Sequence, residues 1–378
     1  MPNTKAASDT SPSLISRFAG AVDCDLHAAV PHMSVLKPYL ADYWREMVSW
    51  RGLDRYNFGM SAYPENAPSA CRPDWKLDAG QKPGSALEAL RTHVLDHFKP
   101  EFGILNCFYG PNVMNSEDMA AAFCRATNDW IRDEWLARDS RLRASIVIPT
   151  HNVALAVQEI ERRANDDRFV QVLMLVSGET TLGRRQLWPI YEIAEKLELP
   201  ISIHAGSTYR FAPTSVGWPS YYVEDYISQS AAFENQLISL IAEGVFAKFP
   251  RLKVVMSESG LTWLSGFVWR SDKTWKGIRA EIPWVTSAPS ELVRQHVRLT
   301  VQPIDAPEQA EGLLRLIDHL DSDELFLFST DYPHWQFDGD DALPAGLSDA
   351  LIRKITRDNP LKTYPRLAKA ARPVEAAT

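Results

Sequence analysis

Eight short apolar runs rich in β-branched residues recur along the chain, separated by longer stretches with helical spacing. They read AVDCDLH (21–27), FGILNCFY (102–109), RASIVIPT (143–150), FVQVLMLVS (169–177), PISIHAG (200–206), LKVVMSES (252–259), VRLTVQP (297–303) and LFLFSTD (325–331). Near-continuous apolar strands alternating with amphipathic segments, such as the one that follows Ser116, describe parallel strands covered on both faces. Eight of them in a chain of 378 residues predict an α/β fold, a single (β/α)8 TIM barrel. An open doubly wound sheet is the alternative, but the first βα turn is not Gly-rich and no GxGxxG or Walker-type loop occurs.

Two insertions interrupt the alternation. One follows strand 1 (residues 28–83, with Trp44, Trp50 and Trp75) and the other precedes strand 7 (residues 276–296). Long aromatic loops on a barrel serve as lids or as subunit contacts, so a homo- or hetero-oligomer is expected. The predicted limits are a flexible segment over 1–20, the barrel over 21–366 and a disordered tail over 367–378.

Bulk properties exclude several partners. Acidic residues outnumber basic ones 48 to 40, for a net charge of −8, and no Lys/Arg-rich run occurs; neither nucleic acid nor an anionic membrane surface is an expected partner. No 18-residue apolar stretch marks a membrane span, and the first twenty residues lack the apolar core of a signal peptide. Four scattered cysteines (Cys24, Cys71, Cys107, Cys124) without a CxxC pair fit a reduced cytoplasm.

Barrel chemistry sits at the C-terminal ends of the strands. There the sequence places Asp25 and His27 (strand 1), His204 (strand 5), Glu258 (strand 6) and Asp331 (strand 8). Carboxylates converging on one axis repel one another, and a bound cation is the simplest compensation. In strand 1 simple alternation puts Asp23, Asp25 and His27 on one face and Val22, Cys24 and Leu26 on the other. Asp23 lies one pleat deeper, as a support for His27 or for the backbone of another strand. His334 is a candidate acid or ligand support. Candidate substrate contacts are His151, Arg210 (beside Tyr209), Trp263, Gln302 and Trp335, each with a plain structural alternative as cap, surface or core residue. His93, His296 and His319 carry no assigned role.

Asp25-x-His27, His204-Ala-Gly, Ser329-Thr-Asp331-Tyr-Pro-His334 and the late DNPLKTY (358–364) together resemble the amidohydrolase superfamily. More narrowly, they resemble its amidohydrolase-related branch, which includes decarboxylases of aromatic and semialdehyde acids. The resemblance implies metal ligands at His27, His204 and Asp331, with Asp25 at the first ligand position. Three departures matter. Asp25 replaces the histidine of the hydrolytic His-x-His pair, strand 4 has no Lys to carbamylate, and Glu258 stands where many relatives carry histidine. Two imidazoles with two or three carboxylates form a hard donor set that suits Mn²⁺ or Fe²⁺ at least as well as Zn²⁺. One ion is expected, and Glu258 with Asp331 or Asp25 could bridge a second. The expected activity is metal-dependent hydrolysis or decarboxylation of a small carboxylate- or amide-bearing metabolite, with Asp331, Glu258 and His334 as catalytic groups. The alternatives are a dinuclear Fe/Mn oxygenase on the same barrel and a non-catalytic subunit, against which the intact ligand set speaks.

Overall fold

The computed structural model describes residues 18–53, 71–78, 81–108, 114–206, 212, 214–306 and 309–371. Each of the eight apolar runs contains a strand: β1 (Val22–His27), β2 (Phe102–Asn106), β3 (Leu142–Val147), β4 (Phe169–Leu175), β5 (Ile201–His204), β6 (Val254–Ser257), β7 (Val297–Thr300) and β8 (Phe326–Leu327). All pair in parallel in sequence order. The sheet closes where the chain leaving β8 returns to β1. Cys24 N–H donates to Phe328 O at 2.9 Å, Asp331 N–H to Asp25 O at 3.0 Å and His27 N–H to Tyr332 O at 2.8 Å. Closure rules out the open sheet, and the fold is the (β/α)8 barrel. Helices shield its outside. Ser116 caps the helix Glu117–Ile131, accepting from Met119 N–H, and Asn152 caps Val153–Arg163, accepting from Leu155 N–H. No helix among the described residues is long and apolar enough to cross a membrane.

Strand 1 departs from simple alternation. Asp23 lies opposite Gly103, but Leu26 lies opposite Leu105, so Cys24 and Asp25 together face Ile104 alone. This is a β-bulge, and it turns both residues of the pair to the same side. Cys24 therefore does not face the helices. It packs with Val22, Ile104, Val170, Val255, Leu327 and Tyr364. Side chains from β1, β2, β4, β6 and β8 can meet only inside the barrel, so this cluster is its apolar floor. Leu367 belongs to it as well, on the helix Pro365–Ala370. Above the floor is a polar layer of Asn106, Ser145, Gln171, Ser202 and Ser257, all buried.

The domain limits also shift. Phe18, within the segment expected to be flexible, is fully buried and stacks on Phe328 at 4.7 Å. Leu367 is fully buried in a helix that runs to Ala370, so the expected tail begins too early. Phe18 and Leu367 are held because each supplies an aromatic or branched apolar side chain to the core. The insertion after β1 is partly core: Trp75 is buried and stacks on Phe337 at 5.5 Å, whereas Trp50 is exposed. The insertion before β7 forms the helix Pro289–His296. All four cysteines are buried.

Candidate active site

The seam between β8 and β1 sets the position of the acids. Asp23 accepts from Thr330 N–H at 3.0 Å and from the Thr330 hydroxyl at 2.7 Å. It thus supports the backbone of another strand, as expected for one of its two alternatives, and fixes the residue that precedes Asp331. Asp331 follows at φ 56, in the left-handed region, and Glu258 at the end of β6 has φ 58. Non-glycine residues are uncommon there, and such conformations persist where the surrounding structure enforces them.

The ligand-type side chains meet at short range. His27 Nε2 lies 2.8 Å from Asp331 Oδ1 and 3.5 Å from Asp25 Oδ1. His204 Nε2 lies 3.0 Å from Asp25 Oδ2, and His334 Nδ1 lies 2.9 Å from Asp331 Oδ1. Asp25 Oδ1 also accepts from Asn106 Nδ2 at 2.7 Å. Asn106 in turn accepts from Ser145 Oγ and, at 3.3 Å, from Gln171 Nε2, so β2, β3 and β4 buttress the first acid. Two overlapping groups have donor atoms within 4.8 Å of one another: Asp25, His27 and His204, and His27, Glu258, Asp331 and His334. Within this arrangement Asp331 Oδ2 and His27 Nδ1 are buried with no hydrogen-bond partner among the described residues. Orphaned buried acceptors among carboxylates and imidazoles are what a divalent cation would satisfy, and the residues fit one.

Electrostatics agree with that fit. Burial works against the charged forms of Asp25 and Asp331. The histidines beside them outweigh it and hold both carboxyls below the usual range. Burial, with His334 nearby, lowers His27, which favours a neutral imidazole. Burial would lower His204 and His334 too, but Asp25 and Asp331 respectively raise them to about 9. The carboxylates that hold those protons would equally attract a cation, whose binding would release protons. Glu258 behaves oppositely: burial and the Asp331 charge raise it to about 7.

The expected ligands thus come together as two overlapping groups, with His334 included. Glu258 lies apart from the Asp25–His204 pair: its Oε2 is 3.7 Å from His204 Nδ1, the ring nitrogen turned away from Asp25 and 2.8 Å from Ala205 O. Of the substrate candidates, Trp335 sits half exposed with its ring 6.3 Å from Tyr226. Gln302 is fully buried, its Nε2 donating to Ala342 O at 3.3 Å. His151 directly precedes the Asn152 helix cap after β3. Trp263 packs in the helix layer, its ring 6.5 Å from Phe233 and its Nε1 donating to Gly260 O. Arg210 and Tyr209 lie outside the described residues. The sequence reading missed Asn106, Phe108, Tyr226 and Gln336. Phe108 covers both imidazoles, its centroid 5.0 Å from His27 and 4.4 Å from His204.

Residues 22–366 match the family model described as Amidohydrolase. The chain belongs to the amidohydrolase family. A γ-resorcylate decarboxylase from Polaromonas sp. (strain JS666 / ATCC BAA-500) is 23% identical over 279 residues, covering 66% of this chain and 77% of the relative. A crystal structure of 2,6-dihydroxybenzoate decarboxylase with 2,6-dihydroxybenzoate superposes with a TM-score of 0.67 at 18% identity, over 92% of this chain and 99% of the other. The 5-carboxyvanillate decarboxylase of Novosphingobium aromaticivorans DSM 12444, complexed with manganese and 4-hydroxy-3-methoxy-5-nitrobenzoic acid, gives 0.67 at 15% identity, over 92% and 97%. At such identities the structural likeness speaks for the fold. This amidohydrolase is a metal-dependent enzyme of hydrolysis or decarboxylation, and the side chains gathered at the ends of its barrel strands could hold a divalent metal.

Proposed function

We propose that this amidohydrolase decarboxylates a small hydroxylated aromatic acid with one divalent cation, Mn²⁺ best suited, held by Asp25, His27, His204 and Asp331. The observation that carries the reading is geometric: Asp25, His27, His204 and Asp331 converge at the end of the barrel strands, with Glu258 Oε2 beside them, 3.7 Å from His204 Nδ1. Burial and the Asp331 charge raise Glu258, in keeping with a group that holds a proton for transfer. The cation would supply positive charge to anchor the substrate's oxygens. Phe108, over the two imidazoles, offers a flat apolar face to an aromatic ring, and Tyr226, bonded to Glu258, has its ring 6.3 Å from that of Trp335. The bond from ring carbon to carboxylate breaks, its electron pair stays on that carbon, CO₂ leaves, and Glu258 delivers the proton that forms the new C–H bond. His334, against Asp331, is the second candidate for that transfer. The named relatives are decarboxylases, which supports this chemistry over hydrolysis and gives no support to the oxygen-activating alternative. Self-association belongs to the same reading, since Trp50, Trp269 and Ile227 present apolar surface.

The test is to strip the protein, reload it with Mn²⁺, Fe²⁺ or Zn²⁺, and follow CO₂ release from 2,6-dihydroxybenzoate, 5-carboxyvanillate and unsubstituted benzoate under air and argon. Equal CO₂ release in both atmospheres, dependent on the added metal and confined to the hydroxylated acids, is the expected result. A requirement for O₂, or release without metal, overturns the proposal.

A further inference from the structure

Glu258 is tethered from three directions. Its backbone is held at φ 58, and its N–H donates to Thr300 Oγ1 of β7 at 2.9 Å. Its Oε1 accepts from the Tyr226 hydroxyl and from Gln336 Nε2, each at 3.1 Å. Gln336 Nε2 also donates to the Tyr226 oxygen, closing a triangle. Tyr226 comes from the helix Tyr222–Ala242 and Gln336 from the loop after β8, so two separate elements converge on one carboxyl group while β7 holds its backbone. A carboxylate beside a cation would otherwise swing both oxygens toward it.

We infer that Tyr226 and Gln336 are positioning residues that clamp Glu258 Oε1 away from the metal and leave Oε2 as the oxygen that delivers the proton. This rests on the decarboxylase reading. When Glu258 gives its proton to the ring carbon it becomes an anion, and two donors already aimed at Oε1 strengthen as that charge develops. Tyr226 holds the carboxyl with its hydroxyl proton committed to Glu258 Oε1. A hydrogen bond to a charged acceptor contributes about 1.5–3 kcal/mol, so removing either donor lowers kcat about ten- to hundredfold.

The test uses Mn²⁺-loaded Tyr226→Phe and Gln336→Leu proteins. The infrared difference between wild type and Glu258→Gln isolates the Glu258 carboxyl band. That band shifts in both variants, and kcat falls while KM and Mn²⁺ affinity stay at wild-type values. An unmoved band overturns the clamp whether or not the protein turns over. A shifted band with unchanged kcat overturns the positioning role. A parallel loss of Mn²⁺ affinity overturns the inference by making the pair part of the metal centre. If the wild type releases no CO₂ from any acid tested, the decarboxylase reading fails and the band still decides the clamp.

Discussion

Asp23 offers the sharpest test of how the fold builds the site. Its carboxyl is fully buried and takes two good hydrogen bonds from Thr330 and a longer one, 3.3 Å, from Asp25 N–H. Asp23→Ala leaves the Thr330 amide and hydroxyl buried without partners. At about 1–3 kcal/mol for each orphaned group, the variant loses roughly 2–6 kcal/mol. Thr330 is also the residue before Asp331, so Mn²⁺ affinity falls about 10–100-fold, as on loss of a group that orients a metal ligand. Asp23→Asn keeps an acceptor for the amides, and the Thr330 hydroxyl can turn to accept. Burial raises Asp23 to about 7, so the native state holds a proton there that the unfolded chain releases above about pH 4. Stability from this group is therefore present at low pH and lost as pH rises from the unfolded value to about 7, over a span of up to about 4 kcal/mol. Urea denaturation of the Mn²⁺-loaded proteins at pH 5 and pH 8 measures both effects. Asp23→Asn shows a smaller fall between the two pH values than wild type. An Asp23→Ala cost under about 1 kcal/mol, or identical pH dependence in wild type and Asp23→Asn, would refute this account of the seam.

Two further outcomes are expected. Chelation lowers the melting temperature, because a cation at a hundred times its dissociation constant contributes about 2.7 kcal/mol to the native state; His204→Ala abolishes that Mn²⁺-dependent shift in calorimetry. Tyr364→Phe leaves stability unchanged or raises it by about 1 kcal/mol in denaturation, since the Tyr364 hydroxyl is buried in the barrel floor with no partner among the described residues.

The eight strands were legible because each is buried on both faces and so reads as an unbroken apolar run. The acids and imidazoles were legible because polar residues ending such runs stand out. What escaped has physical reasons. Cys24 is small and weakly polar, fits either face, and so hid the bulge that sends it inward beside Asp25. Asn106 ends β2 as Asp331 ends the eighth run, but lies inside an apolar stretch and carries no charge. Tyr226 and Gln336 sit on a helix and a loop, where neither period marks an inward residue, and only the tertiary fold brings them to Glu258.

The seam has one more consequence, for folding. His27 and Asp331 are 304 residues apart in the chain yet 2.8 Å apart in the barrel. Closing a loop of that length costs about 5 kcal/mol of chain entropy beyond a constant, so this contact is among the last that the chain can form profitably. The proposed cation ligands are split across it, with Asp25 and His27 on the first strand, His204 on the fifth and Asp331 after the last. A chain emerging from the ribosome can fold most of its strands and still lack Asp331. Tight metal capture at the proposed site would thus report that the barrel has been completed.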